Sequence, residues 1–303
     1  MRVYVYGPPR APMATMGDMT FAALRRMPGI EAYAFAGHGE GSLHGFRDLA
    51  LDIESGVEFP WMPPEPFTLW TSARREGWEP KARKAERVFH TAMQDGERLK
   101  GMRIMSRWLP PAADTLLWTM PEPRESTEDI GFLGHVWFPE RVEFLDEMFK
   151  AFPKFVWRDQ AFWETGPQAL AKAKVAINHS ETGAVNRRVF EAMAMGHCLV
   201  TRWNEDLAPL GIVDGVHAWT YRTVEEAVEK VRAALKDDEG RAVMGREARA
   251  LVLSRHTYFH RAYELVNREL PPQAELEDMM RVHPLDTYST EDRRRRTFIP
   301  VVA

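Results

Sequence analysis

The chain has 303 residues, enough for two domains or one large one at about 100 to 200 residues per domain. Hydrophobic residues make up 45% and charged residues 28%, a mixture that excludes disordered, fibrous and membrane-embedded classes. The net charge is −4, and the single cysteine can form neither an internal disulfide nor a multi-cysteine metal site. No secretory signal or membrane span is visible, so we expect a cytoplasmic protein.

The first half of the sequence alternates short β-rich runs with helix-like stretches. The β-rich runs are 2–6, 31–35, 49–53, 67–71 and 87–90. This alternation predicts a parallel, doubly wound sheet. Asp18 is expected to cap a helix that extends to Met27, before Pro28 and Gly29. The loop at 7–17 follows the first strand, where open α/β sheets bind ligands.

A charged, proline-bearing segment at 120–128 predicts a linker, after which the alternation resumes. Strands are predicted at 129–133, 154–158, 175–178, 198–202 and 217–221, and helices at 139–150, 167–172, 186–195, after Thr223 and from Arg261 to Leu270. We therefore predict an α/β domain at 1–120, a second α/β domain at 121–265, and a C-terminal helix and tail at 266–303 that packs back on the first domain.

The most informative stretch is a polar loop containing Gly183, followed by a helix from Asn186 to Gly196. A helix N-terminus attracts anions, yet Arg187 and Arg188 place positive charge there, which is expected where a ligand supplies the negative charge. Arg188 and Glu191 are three residues apart and share a helix face. An arginine for phosphate beside a carboxylate for sugar hydroxyls suits a nucleotide diphosphate, and a plain surface ion pair is the alternative.

Residues 189–196 read VFEAMAMG and resemble the F-E-A-M-A-x-G signature of GT-B glycosyltransferases. With Asn186, Arg188, Arg141 and the DIGFLG run at 129–134, the chain most resembles the group-1 enzymes of the spore-maturation-protein type. Their C-terminal H-T-Y-x-H-R run is present at 256–261, where we expect the histidines to have a packing role. A weaker resemblance, to phage DNA glucosyltransferases, rests on the spacing of an arginine and a glutamate. The resemblance implies two facing Rossmann-like domains with parallel sheets and a nucleotide-sugar cleft.

The resemblance also implies roles for individual residues. Glu191 would bind the ribose hydroxyls of a nucleotide sugar, most simply a UDP-sugar. Donor-binding residues nearer the diphosphate and sugar would be Gly134, Ser180, Thr182, Gly183 and Arg188. No D-x-D motif occurs, so we expect a metal-independent reaction without a cofactor. Retaining enzymes carry E-x7-E, but Gly183 stands where the first Glu would fall, so the stereochemistry stays open.

An inverting reaction needs a base for the acceptor hydroxyl, and it should come from the first domain. The candidates are Asp18, Glu54 and His90, for which a helix cap, a solvated loop residue and a hydrogen-bonded histidine are the structural alternatives.

Between residues 74 and 107 there are ten Lys or Arg and five Asp or Glu. This local excess makes a hydroxymethylated pyrimidine in phage DNA one candidate acceptor. A GT-B sugar-nucleotide epimerase or hydrolase, and a catalytically degenerate binding module, are the rival functions.

Overall fold

The fold is taken from a computed structural model of the chain. The residues that it describes are 1–6, 15–35, 48–54, 63, 65–71, 78–120, 126–159, 165–180 and 183–282. The chain divides into two compact units. One consists of Met1–Pro111 with the segment that begins at Tyr258, and the other is Ala112–Thr257. The sequence-based domain limits at residues 120 and 265 stay predictions.

The elements alternate along the chain as the composition predicts. Up to residue 108 they are β1 (Arg2–Tyr6), α1 (Met16–Arg26), β2 (Glu31–Phe35), β3 (Leu49–Glu54), β4 (Thr68–Thr71), α2 (Glu79–Lys84), β5 (Arg87–His90), α3 (Met93–Gly101) and β6 (Arg107–Trp108). Then follow β7 (Glu128–Leu133), α4 (Pro139–Ala151), β8 (Phe155–Arg158), α5 (Thr165–Ala171), β9 (Ala173–Asn178), α6 (Arg187–Ala194), β10 (Cys198–Arg202), β11 (Trp219–Tyr221), α7 (Val224–Lys236), α8 (Asp238–Arg255), α9 (Tyr258–Leu265) and α10 (Gln273–Met280).

The first unit contains a parallel sheet, which in the described residues has the strand order β2-β1-β3-β4-β5-β6. Tyr4, Leu69 and Val88 belong to one buried cluster on this sheet, against Trp78 and Leu99. The strand order reverses its direction between β1 and β3. This reversal is the point where an open α/β sheet leaves a crevice outside the carboxyl ends of its strands.

The second unit repeats the same plan with its own parallel sheet. Its described strands have the order β11-β10-β9-β7-β8, so the reversal falls between β7 and β9. Ile130, Val175 and Val200 form the centre of a buried cluster, and Phe144 of α4 and Val231 of α7 pack on it. The loops after β7 and β9 therefore flank the crevice at which ligands bind in such sheets.

Two sequence predictions of elements need correction, and two elements were not predicted. Helix α1 begins at Met16 with Thr15 as its N-cap, so Asp18 is not the cap residue. The helix predicted from Arg261 to Leu270 runs from Tyr258 to Leu265 instead, and Asn267 has a positive φ of 54°, which ends it. Helix α8 and strand β6 were missed.

Candidate functional site

The loop after β7 turns at Gly134, one of the predicted donor-binding residues. Its φ is 155°, and a Cβ placed there would lie 3.3 Å from the ring of Phe132. The Gly134 N–H donates to the Arg158 carbonyl at 2.9 Å, and its carbonyl accepts from Trp157 Nε1 at 3.0 Å. A glycine is required because an L side chain would strain this backbone, which turns at the reversal point of the sheet.

Helix α6 follows β9 along the chain, and its first turn carries Arg187 and Arg188, as predicted. The Asn186 side chain accepts from the Arg188 N–H at 3.1 Å and caps the helix. Arg188 Nη1 donates to Glu191 Oε2, and Arg187 Nε lies 3.6 Å from Glu191 Oε1. The Glu191 side chain is only 5% exposed. The pair is thus a buried carboxylate held between two guanidinium groups, rather than a solvated surface pair.

The indole ring of Trp118 supports Arg188 from the other side, because its centroid lies 5.3 Å from the guanidinium carbon. A cation over an indole face is attracted by the ring quadrupole. The ion pair and the ring contact together fix the guanidinium beside the first turn of α6. This is the geometry of an anion site built from a helix end and a preorganised arginine.

The C-terminal end of α6 is closed as the sequence predicts, at Gly196. Gly196 has φ of 74°, its N–H donates to Met193 O at 2.9 Å, and the His197 N–H donates to Ala192 O at 3.1 Å. These two bonds form a Schellman motif. Helix α8, which the sequence analysis missed, completes the closure because Arg249 donates to the Ala194 carbonyl.

The segment after β9 carries the other predicted donor-binding residues. Ser180 is 2% exposed, and its Oγ donates to the Ala184 carbonyl at 2.5 Å, which closes the loop. Gly183 has a φ of 64°, a conformation that favours glycine, and it leads into the cap of α6. Thr182 lies outside the described residues. Five of the predicted donor-binding residues therefore lie just after β7, just after β9 or in the first turns of α6: Gly134, Ser180, Gly183, Arg188 and Glu191. Their donor-binding roles stay predictions.

The candidate bases of the first unit are placed less favourably. Asp18 accepts from the Thr15 N–H at 3.0 Å and Thr15 Oγ1 accepts from the Asp18 N–H, so the pair forms a capping box. Glu54 ends β3, but its side chain lies outside the described residues. His90 ends β5 and is 4% exposed, and burial lowers its pKa to about 4. A neutral imidazole with so low a pKa is a weak base at pH 7.

The structure also shows a buried carboxylate that the sequence analysis missed. Asp95 is 4% exposed in the first turn of α3, directly after β5. No spacing motif marks it in the sequence, because its burial depends on the tertiary packing of α3 against the sheet.

The H-T-Y-F-H-R run has the packing role that was expected for it. His256 Nε2 lies 2.9 Å from the Leu210 carbonyl, and its ring centroid is 5.2 Å from that of Phe190 in α6. Arg261 is buried and donates to the carbonyls of Pro110 and Pro111 at 2.7 and 3.1 Å. Burial lowers the pKa of Arg261 to about 10, so it stays charged at neutral pH.

The basic stretch of the first unit is largely paired with acidic groups. Its ion pairs in the described residues include Lys81–Asp52, Lys84–Glu65, Arg98–Glu79, Lys100–Glu97 and Arg107–Glu264. Three of these carboxylates, Asp52, Glu65 and Glu264, lie outside the counted window. The local excess of positive charge is therefore smaller in the structure than in the sequence.

A groove of about 590 Å³ lies in the second unit between α4 and the start of α7. Its floor is formed by His179, Tyr221 and Phe144, and the Glu140–Arg202 ion pair, at 2.7 Å, lies at its margin. Arg188 and Glu191 do not line it. The groove therefore lies between α4 and the start of α7, and it is separate from the first turns of α6.

The described residues lack two kinds of feature. No group of three His, Cys, Asp or Glu side chains is placed to hold a metal ion. No helix in the described part of the chain is both long and apolar enough to cross a membrane.

Comparison with known proteins agrees with this geometry. Residues 133–267 match the family model described as glycosyl transferase-like. No protein of curated function matches the chain in sequence.

Several solved structures share the fold. Anabaena HepE, in complex with UDP and glucose, is 11% identical with a TM-score of 0.62 over 88% of this chain and 98% of its own. T4 phage BGT, in complex with its UDP-glucose substrate, is 10% identical with a TM-score of 0.56 over 93% and 100%. The sucrose-phosphate synthase of Thermosynechococcus elongatus is 11% identical with a TM-score of 0.60 over 88% and 98%.

The two parallel-sheet units and these structural neighbours establish the GT-B fold that the resemblance implied. The match at 133–267 covers β9, α6 and the predicted donor-binding residues between them. Residues 133–267 thus form a glycosyl transferase-like domain in a chain that has the GT-B fold.

Proposed function

We propose that the second unit binds a nucleoside diphosphate sugar at the start of α6 and transfers its sugar to an acceptor hydroxyl. The observation that carries this proposal is the Arg188–Glu191 pair in the first turns of α6, whose carboxylate is buried and whose guanidinium is partly exposed. Glu191 would accept hydrogen bonds from the ribose hydroxyls. Arg188 would bind the diphosphate, together with the segment from Ser180 through Thr182 to Gly183, and Gly134 would let the backbone approach the donor.

The chemistry follows from the charge that develops in the reaction. When the bond between the anomeric carbon and the phosphate oxygen breaks, the diphosphate leaves with additional negative charge. Arg188 is already held by Glu191 and Trp118, beside the positive end of the α6 dipole. Donors that are fixed before the reaction stabilise a leaving group without reorganising.

We propose UDP as the nucleotide because solved structures of this fold contain UDP or UDP-glucose. Among UDP, GDP, ADP and CDP, UDP should therefore raise the unfolding temperature of the protein most. A ligand at 100 times its Kd stabilises the folded state by about 2.7 kcal/mol, which is easily measured. If none of the four nucleotides changes the unfolding temperature at millimolar concentration, the proposed donor site is wrong.

The acceptor side belongs to the first unit in this proposal. Asp18, Glu54 and His90 stay predictions for the base, although the capping box of Asp18 and the low pKa of His90 weaken two of them. A variant that lowers kcat while nucleotide affinity stays unchanged would identify the base. Product analysis with the donor alone separates a transferase from an epimerase or a hydrolase, and any turnover excludes a degenerate binding module.

A hydroxymethylated pyrimidine in DNA is one candidate acceptor. It is favoured by the fold shared with T4 phage BGT across 93% of the chain. If the first unit contacts phosphates, the affinity for hydroxymethylated duplex DNA should fall linearly on a log-log plot against salt. Six contacts would lose about a thousandfold between 50 and 200 mM salt. Unmodified duplex DNA is the matched control. Affinity that is independent of salt, or no binding of either duplex, would contradict this acceptor.

A further inference from the structure

The three backbone carbonyls that follow β9 each accept a hydrogen bond from a side chain of another element. Tyr221 Oη donates to the Asn178 carbonyl at 3.1 Å, and Arg141 Nη2 donates to the His179 carbonyl at 2.9 Å. Arg202 Nη1 lies 3.5 Å from the Ser180 carbonyl. The side chains come from β11, α4 and β10. Long-range bonds of this kind fix the path of the backbone just before the loop that leads to α6.

The His179 ring connects two of these side chains in a defined proton order. The Tyr221 hydroxyl donates its single hydrogen bond to the Asn178 carbonyl, so it accepts a hydrogen bond from the Nδ1–H group of His179, 3.0 Å away. His179 Nε2 is then the acceptor for Arg202 Nη1 at 3.2 Å. The side chains of His179 and Tyr221 are almost fully buried. The result is one continuous chain of hydrogen bonds, from Arg202 through His179 and Tyr221 to Asn178.

The charges around the ring favour this neutral state. Burial, with Arg202 and Arg141 nearby, lowers the pKa of His179 to about 4, although Glu140 opposes the shift from 3.9 Å. Burial raises the pKa of Tyr221, so its hydroxyl remains protonated. Glu140 also forms an ion pair with Arg202 at 2.7 Å, which orients the guanidinium. The proton order therefore persists throughout the neutral pH range.

We infer that Arg202, His179 and Tyr221 are positioning residues for the donor diphosphate. They contact the backbone of 178–180, at the start of the proposed diphosphate segment, and so hold Ser180 where its Oγ donates to the Ala184 carbonyl. This inference rests on the proposed donor site. Its physical basis is preorganisation: a backbone segment that is already held, here 178–180, loses less conformational freedom when an anion binds beside it.

The test is Tyr221→Phe, which keeps the ring and removes the hydroxyl between His179 and Asn178. Loss of the hydroxyl removes its hydrogen bonds to both Asn178 and His179, and it should weaken UDP binding roughly 3- to 10-fold. Amide hydrogen exchange of a peptide covering 178–189 should become faster, while exchange elsewhere in the second unit stays unchanged. With UDP-glucose, KM should rise more than kcat falls. A merely structural role would lower the active fraction and leave KM unchanged.

Two further variants sharpen the test. Tyr263→Phe removes another tyrosine hydroxyl, one that lies 4.0 Å from Met279 Sδ in the first unit, and should leave the exchange of 178–189 unchanged. Arg202→Met should reproduce the Tyr221→Phe effect, and Arg202→Lys should restore part of the affinity. Unchanged exchange of 178–189 in both Tyr221→Phe and Arg202→Met would overturn the inference. If the wild type binds no UDP, the proposed function fails, and the exchange measurement still decides the positioning role.

Discussion

Gly245→Ala is expected to destabilise the second unit by about 3 kcal/mol, the upper range for overpacking a well-filled site. A Cβ on Gly245 would lie 2.0 Å from the Gly196 carbonyl oxygen and 2.8 Å from its carbon. Both atoms are backbone, and Gly196 already holds the Schellman motif that ends α6. Neither side can move aside as a flexible side chain would, so α8 must separate from α6.

Urea unfolding of purified Gly245→Ala measures this loss directly. The matched control is Gly101→Ala at the end of α3, where a Cβ would meet nothing within 4 Å and φ is not positive. That change should be neutral, or stabilising by about 0.4 to 1 kcal/mol. Equal stability of Gly245→Ala and Gly101→Ala would contradict the close backbone contact between Gly245 of α8 and Gly196.

Lys81→Met is expected to cost about 3 to 5 kcal/mol of unfolding free energy, because it leaves a carboxylate buried without its counter-ion. Lys81 Nζ lies 3.0 Å from Asp52 Oδ2, and the two side chains are 3% and 2% exposed. Asp52 sits on β3 beside Tyr6 of β1, in the middle of the first unit's sheet. Urea unfolding of the variant would show the loss as a lower midpoint.

Two companion variants separate the ion pair from general effects of the substitution. Lys84→Met changes the same residue type in the same helix, where the lysine is 55% exposed, and should change stability by no more than about 0.5 kcal/mol. The double variant Asp52→Leu with Lys81→Met should recover much of the loss, since an apolar pair replaces a buried ion pair at little cost. A double variant that is no more stable than Lys81→Met would contradict this.

Much of the second unit could be predicted from the sequence because its signals are local. Asn186 and Thr223 cap the helices that they were expected to start, and Gly196 ends α6 as predicted. Strand β10 has its predicted bounds. Each of these depends on a few neighbouring residues, whose backbone preferences and hydrogen bonds act over a single turn.

Helix α8 was missed although signals for it exist. Asp237 caps it by accepting from the Gly240 N–H at 2.8 Å, and Met244, Ala248 and Val252 repeat at four-residue spacing on its buried face. Gly240 and Gly245 weaken the helical pattern in the sequence. Gly245 is explained only by the backbone of Gly196, 49 positions earlier, which is a tertiary contact that no window of sequence contains.

The candidate site divides in the same way. Arg188 and Glu191 were found because a three-residue spacing on a helix guarantees that the two side chains meet. The bonds of Arg141, Arg202 and Tyr221 to the 178–180 carbonyls could not be found, because they join α4, β10 and β11 across the sheet. Sequence spacing says nothing about which side chain will reach a carbonyl on another strand.

Calorimetric titration with UDP tests most directly whether the Arg188–Glu191 pair, with its buried carboxylate, binds a nucleoside diphosphate. Wild type and the exposed control Glu229→Gln should bind UDP with the same affinity, and Glu191→Gln should bind about 10- to 100-fold more weakly. Pyrophosphate, which has no ribose, should lose less affinity than UDP in Glu191→Gln, because it loses only the orientation of Arg188. Unchanged UDP affinity in Glu191→Gln, with the variant folded, would contradict the account.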